Sequence, residues 1–555
     1  MSTAQTEIPG TTRLRITDER NSSNPQLSKH SNADKRPGTW RGAVFLALLL
    51  GCIKLAIHIA VNIRAQHVGY GIFRDELYYI VCGRRLAWGY LDNQPLIAVL
   101  ARISDTLFGH DRLWAFRLMP SLAGAAKVFL TGLLTYALGG KRVAQALAMI
   151  LVIGAPEYLG VDTLFSMNCL EPVFWMTAML AMIEIAKAPT GRSLAAWWMV
   201  FGIAGGLALE TKLSGAFFLL CLLAALLLTP QRKLLANRWA ASGVAVLLLI
   251  ELPNFLWQWH RSFPSIQWLV DASREGKDVV LSPGAFLWQQ VLVLIPFFVV
   301  FWVGGIIWLL VARAARNYRF AGLTGVLFIA LMMLLHAKTY YVVPIYPVLY
   351  AAGCVYCFQL LPESGFWRAV PLAYGSVFAQ AAWYWMPLVL PIVPPSQYSV
   401  WEHRLHYRPE ETENFRKSAL PQLLADMTSW PQFVHQIATA YNSLPPHVRA
   451  RTGIYCGNYG EASAIDVLGA QYGLPPAISG SQTYWFWGPH GQLRDSMLVV
   501  NQTHADMAKT FRDIRVLGTI DTPDAMPFED GDTIWLGQGL MRTPEEIWPT
   551  TKDWY

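Results

Sequence analysis

The chain has 555 residues, of which 54% are hydrophobic and only 15% charged, with a formal net charge of +7. That balance excludes an ordinary soluble globular protein, in which about a quarter of residues are charged. The apolar residues fall in runs of roughly 18–25, long enough to cross a hydrocarbon core of about 30 Å. The basic excess sits between those runs, so membrane topology accounts for it and no nucleic-acid partner is expected.

Residues 1–40 are polar and almost free of aromatic side chains. They read as a disordered cytoplasmic tail without a signal-peptide cleavage pattern. Apolar segments follow at about 42–63, 114–138, 143–160, 169–187, 195–210, 213–229, 239–258, 285–312, 320–336, 342–361 and 367–391, about eleven spans in all. With the tail in the cytoplasm, the basic loops at 139–142, 187–192, 231–238, 313–319 and 367–368 all fall inside, as the positive-inside rule requires. Loop 64–113 then lies outside although it carries Arg64, Arg74, Arg84, Arg85, Arg102 and Arg112; an anionic ligand would explain them. Residues 41–391 thus form the membrane domain, and the piece Leu96–Phe108 is expected along the interface. Residues 392–555 change to charged, aromatic and Gly/Pro-rich composition and read as an outer α/β domain. Strands are expected at Arg451–Tyr455, Met497–Asn501 and Thr533–Leu536, and a helix at Tyr459–Tyr472. Most of the seven cysteines lie in apolar runs and read as small buried hydrophobes. Cys354 and Cys357 have C-x-x-C spacing but sit mid-span, which argues against redox or zinc chemistry.

On this topology the outer face collects the chemistry. In Arg74-Asp75-Glu76-Leu77-Tyr78-Tyr79 the two carboxylates occupy a first helical turn, where the helix dipole favours them. Asp75 shares a face with Tyr78 and Tyr79. A helix cap with an aromatic belt is the structural alternative. Arg84 follows, then Asp92 and Asn93 in a turn before Pro95. Glu171 opens a span, where an ionisable group is expensive and usually paired or functional. Glu210 and Lys212 lie between two spans, where they could pair with each other. Lys338, Tyr340 and Tyr341 stand at a helix mouth, where a lysine suits a phosphate or snorkels. Carboxylates, cations and tyrosines beside lipid fit a lipid-linked phosphate substrate. A carboxylate would take a proton from the acceptor, and cations would stabilise the departing phosphate.

These motifs, RDELYY at 74–79, GYLDNQPL at 89–96, FSMNCLEPVFW at 165–175, LETKLSG at 209–215 and KTYYVVPIYP at 338–347, resemble bacterial glycosyltransferase family 39. That GT-C group contains the dolichyl-phosphate-mannose–protein mannosyltransferases and the lipid A aminoarabinose transferase. The resemblance implies a polytopic helical GT-C fold in the bacterial inner membrane, with periplasmic interfacial helices and a C-terminal periplasmic α/β domain. It implies transfer of a sugar, with inversion, from a polyprenyl-phosphate donor to an envelope glycolipid, polysaccharide or protein. Asp75 takes the acidic position associated with acceptor activation, and Glu76 completes a catalytic pair. Asp92 takes the acidic position of the second loop. Some relatives carry a basic residue next, where this chain has Asn93, so Lys338, Lys212, Arg74 and Arg84 become the candidates for phosphate contact. Glu171 is assigned an orienting or structural role. No cofactor is assigned, and a divalent metal is left open. The alternatives are a polytopic transporter, although no internal repeat is visible, or an envelope protein that binds glycan through Tyr484–Trp487.

Overall fold

The computed structural model describes residues 39–276, 279–409, 413–414 and 418–554; the expected tail falls, except for Thr39 and Trp40, outside them. Helices occur at every expected apolar segment. Among the described residues, seven are long and apolar enough to cross a membrane, or up to eight if one bent pair counts as a span. The remaining expected segments do not meet that length and apolarity, most of them for local reasons. The helices Arg142–Gly154 and Ser214–Leu227 have 13 and 14 residues. At 1.5 Å per residue they reach only about 20 Å. The segment expected over 285–312 breaks into Pro283–Val293 and a Pro296–Val311 arm bent by 95°. At the break Ile295 has φ +69° and Pro296 supplies no backbone N–H, so the helical ladder cannot continue.

The helix Trp40–His67 packs along Leu118–Ala137, which in turn packs on Met167–Ala186. An ionic centre is buried among them. Asp162, just beyond the short helix Pro156–Val161, lies 2.6 Å from Lys127 and 3.4 Å from Lys54. His58 Nε2 is 4.0 Å from the same carboxylate, and Lys54 also donates to the Tyr158 carbonyl at 3.2 Å. All four charged or titratable side chains are fully buried. They replace water for one another in a medium that has none, and they fix the Pro156–Val161 turn.

The helix Arg74–Arg84 begins where Glu76, in its first turn, reaches back to accept the Phe73 N–H at 2.8 Å. It crosses the amphipathic helix Pro95–Phe108 so closely that a Cβ on Gly83 would stand 2.8 Å from the Ala98 carbonyl oxygen and 2.9 Å from the Arg102 nitrogen. Pro95 at the first turn pre-sets the second helix. That helix buries Ile97, Ala98 and Ala101 while Val99, Ile103 and Leu107 remain exposed.

The C-terminal region is α/β, as its composition suggests. Its described strands form a five-stranded sheet ordered β2-β1-β3-β5-β4. They are β1 (Thr452–Cys456), β2 (Ala477–Ile478), β3 (Ser496–Val500), β4 (Phe511–Thr519) and β5 (Thr533–Leu540). β1 runs parallel to β2 and β3, and β5 antiparallel to β3 and β4. The three expected strands and the helix at Tyr459–Leu468 are present; β2 and β4 were not expected. β4 is an edge strand with Arg512, Asp513 and Arg515 facing outward, and such charge both protects an edge and disguises it. Gly71 and Arg74 donate backbone N–H groups to the carbonyls of Met427 and Asp426, at 2.7 and 2.9 Å. The C-terminal unit is thereby seated on the start of the Arg74–Arg84 helix.

Candidate active site

A cavity of about 820 Å³ opens where that helix, the Asp92 turn, the mouth of the Thr339–Ile345 turn and the C-terminal unit converge. Asp75, Tyr79, Asp92 and Asn93 stand on its wall, together with Lys212, Lys338, Tyr340 and Tyr341. Leu292, Phe297, Phe378 and Val389 supply an apolar side. Residues separated by more than 250 positions in sequence thus share one chamber.

Asp75 accepts a 2.8 Å hydrogen bond from the Tyr459 hydroxyl. Asp92 lies 2.8 Å from the Tyr78 hydroxyl, which also lies 2.6 Å from the Thr483 hydroxyl. Both acidic residues are therefore braced by tyrosines in neighbouring positions, and the Tyr78 and Tyr459 rings are 5.0 Å apart. Tyr78 itself is buried behind the wall, whereas Tyr79 reaches it. Arg74 lines the cavity edge with its guanidinium 4.6 Å over the Tyr459 ring and 3.5 Å from Glu529. Burial alone would lower its pKa, but Tyr459, Glu529, Asp426 and Asp75 around it hold it above the ordinary arginine value.

Also on the chamber wall, the Lys212 ammonium donates to Asn168 at 2.8 Å. It lies 3.7 Å from the Tyr341 ring centre and 5.0 Å from that of Tyr340. Pairing with Glu210 is not what the structure shows. Lys338 is held by Glu413 at 2.6 Å. The Gln290 amide donates to the Thr339 carbonyl at 3.0 Å and accepts from Tyr346 at 3.1 Å, which pins the turn that carries Lys338, Tyr340 and Tyr341.

Besides Tyr78, three expected residues are not on the chamber wall. Glu76 is buried; its carboxylate takes two bonds from Arg117, at 2.8 and 2.7 Å, and one from the Phe165 N–H at 2.7 Å. Instead of facing the cavity beside Asp75, it ties the first turn to two other segments. Arg84 points away, toward the Asp466 carbonyl at 3.1 Å and Asp105 at 3.4 Å. Glu171 is buried against Ser214, whose hydroxyl it accepts. It borders a separate space of about 10 Å³ shared with Lys127, Glu157 and Tyr340, about the room of one water. Asn93 reaches the wall with its amide nitrogen 3.3 Å from the Gln94 carbonyl. Among the described residues no three His, Cys, Asp or Glu side chains converge to hold a metal ion.

Sequence reasoning missed Lys54, His58, Lys127, Asp162 and Arg117, and from the C-terminal unit Tyr459, Asp426 and Gln482, which line the cavity. The first group had a signal: Lys54 and His58 lie one turn apart on one face of an apolar helix, a costly placement that asks for partners. Tyr459 had none, because its partner lies 384 positions away.

The fold matches that of solved structures. ArnT from Cupriavidus metallidurans superposes with a TM-score of 0.57 in its apo state and 0.56 bound to undecaprenyl phosphate. Each comparison covers 87% of this chain and 97% of ArnT at 15% identity. The chain shares the fold of ArnT. Residues 92–257 match the dolichyl-phosphate-mannose–protein mannosyltransferase model, a segment that holds Asp92, Asn93, Glu171 and Lys212 but neither Asp75 nor Lys338. The chain is also 28% identical over 200 residues to the lipid A galacturonosyltransferase RgtD of Rhizobium johnstonii. That alignment spans 33% of this chain and 38% of the relative.

Proposed function

We propose that this protein is a multi-pass inner-membrane glycosyltransferase that moves a sugar from a polyprenyl-phosphate donor to a cell-envelope acceptor on the periplasmic face. The observation that carries the proposal is the chamber itself. It brings the carboxylates of Asp75 and Asp92 and the ammonium groups of Lys212 and Lys338 to the lining of one cavity, together with apolar side chains. The relatives support the donor class, since the ArnT structure holds undecaprenyl phosphate. The acceptor is an envelope glycolipid, polysaccharide or protein.

In this reading Asp75 takes the proton of the acceptor hydroxyl or amine as the acceptor atom bonds to the sugar carbon. The bond from that carbon to the phosphate oxygen breaks on the opposite side, and polyprenyl phosphate leaves with the electron pair. Lys212 and Lys338 supply the charge that stabilises the departing phosphate, while Tyr340 and Tyr341 flank it. Asp92 orients the sugar. Glu76 acts through structure, fixing the turn on which Asp75 stands. Arg84 lies outside the chamber wall and is not among the phosphate contacts; Arg74 lines the chamber in an ion pair with Glu529, as Lys338 does with Glu413, and remains a further candidate.

The test is transfer by the full chain in lipid nanodiscs, supplied with undecaprenyl-phosphate-linked galacturonic acid, aminoarabinose and mannose plus an envelope extract. Release of undecaprenyl phosphate and the mass of the modified acceptor are read by mass spectrometry. Wild type should release the carrier from at least one donor, and Asp75→Asn should lose about 100-fold or more in turnover, the usual scale for a general base. Full turnover by a folded Asp75→Asn variant would sink the base assignment.

A further inference from the structure

We infer that Tyr459, on the C-terminal unit, is the positioning residue for the Asp75 carboxylate, so that the site is complete only with that unit seated. The inference rests on the reading of Asp75 as the base.

Tyr459 opens the helix Tyr459–Leu468, whose start is set by Asn458 accepting the Glu461 N–H at 3.0 Å. Its hydroxyl donates to Asp75 Oδ1 at 2.8 Å. The ring is held on two sides, by Tyr78 at 5.0 Å and by the Arg74 guanidinium at 4.6 Å. The next residue must be glycine-sized: a Cβ on Gly460 would stand 2.6 Å from Arg74 Nε and 2.8 Å from its Cγ. The helix start therefore rests directly on the Arg74 side chain, and the phenol has little room to turn away. Thr483 provides a second tie, with its N–H donating to the Tyr78 hydroxyl at 3.2 Å and its own hydroxyl accepting the Leu91 N–H at 3.1 Å. Tyr459 also borders the chamber, so it stands at the reacting end of Asp75 rather than behind it.

The chemistry follows from the donor. Burial pushes the Tyr459 hydroxyl well above the ordinary tyrosine range, against the opposing pull of Arg74 and reinforced by Asp75. The phenol keeps its proton and can only give a hydrogen bond to a carboxylate. Such a bond to a charged acceptor is shorter and stronger than a neutral one. It favours the ionised base and fixes the orientation in which the carboxylate meets the acceptor. The phenolic proton never transfers; the acceptor's proton goes to Asp75 and the sugar–phosphate bond breaks as described above.

The experiment measures kcat and KM against pH for the full chain in nanodiscs with whichever undecaprenyl-phosphate sugar supports turnover. Tyr459→Phe keeps the ring and removes the hydroxyl. It should lower kcat about tenfold, the scale of one hydrogen bond to a charged group, with the donor KM little changed and the acidic limb of the profile moved to higher pH. Placing 2,3-difluorotyrosine at 459 keeps the fold and strengthens the donor, so the limb should move the other way. Tyr441→Phe removes a hydroxyl that donates to the Arg449 carbonyl at 2.9 Å, away from the chamber, and should leave both quantities unchanged. An inactive Asp75→Asn variant alongside Tyr459→Phe and difluorotyrosine proteins with wild-type kcat and limb overturns this inference alone. A loss of turnover in Tyr459→Phe with no movement of the limb in either variant also overturns it, because packing would then be the cause. An active Asp75→Asn variant overturns the base assignment and this inference together.

Discussion

Asp75 and Glu76 are adjacent in the chain and differ in everything that matters for chemistry. Successive positions on a helix point about 100° apart, so one carboxylate faces the chamber and the other meets Arg117 and two backbone N–H groups. Sequence alone could not separate them, since the sorting group, Arg117, lies 41 positions away. The same logic applies to Asp162, which neutralises Lys127 at 2.6 Å and Lys54 at 3.4 Å, all three side chains being fully buried. Breaking one partner of a buried ion pair costs about 3–5 kcal/mol, because the other charge is stranded. Asp162→Asn should therefore lose stability on that scale, and unfolding followed in detergent by intrinsic tryptophan fluorescence measures it. A midpoint within a degree of wild type would show that the lysines find other partners.

Among the elements, the pair Arg74–Arg84 and Pro95–Phe108 carries the acidic wall, and its spacing is set at Gly83. The atoms that a Cβ would meet there are the Ala98 carbonyl oxygen and the Arg102 nitrogen, both backbone. Backbone yields less readily than a side-chain end. Overpacking of this kind costs about 1–3 kcal/mol, so Gly83→Ala should lower the melting temperature and also displace Asp75 and Asp92 relative to each other. A lower kcat at saturating donor, along with the lower melting temperature, is the expected pair of readings. The places of the helices were legible because apolar runs must be satisfied by helix in lipid. Their capacity to span was less legible. The 95° bend at Ile295–Pro296 was written in one proline, but a proline inside an apolar run is also tolerated, as Pro172 is within Met167–Ala186.

At the scale of the whole molecule, the C-terminal unit meets the rest of the chain at Arg74, which pairs with the buried Glu529 and lies near the buried Glu461. Glu461 is buried, and burial first, then the nearby Asp532, push its carboxyl up to about 8. The folded form holds a proton there that the unfolded chain, with an ordinary glutamate, releases at much lower pH. The contribution to stability is present in full below the unfolded value and is lost as pH rises through about 8. The C-terminal unit should accordingly exchange amide hydrogens faster at pH 9 than at pH 6, after correction for intrinsic rates. Glu461→Gln should flatten that difference, and an unflattened difference would assign it to other groups. Glu529 shifts in the same direction through burial, with Arg74 opposing, so some residual pH dependence is expected.

The sequence by itself determined that this is a membrane protein, where its helices lie, that an α/β unit follows them, and which motifs resemble those of the GT-C group. Those properties depend on local apolarity, on strand and helix patterning, and on short runs such as RDELYY, all readable within a few turns of chain. Only the tertiary structure decided which acidic residue faces the chamber and which is spent on Arg117, why Lys212 lies against Tyr341 instead of Glu210, and that Tyr459 braces Asp75. These depend on distances between residues dozens to hundreds of positions apart. The folded packing sets such distances, and no periodicity in the chain encodes them.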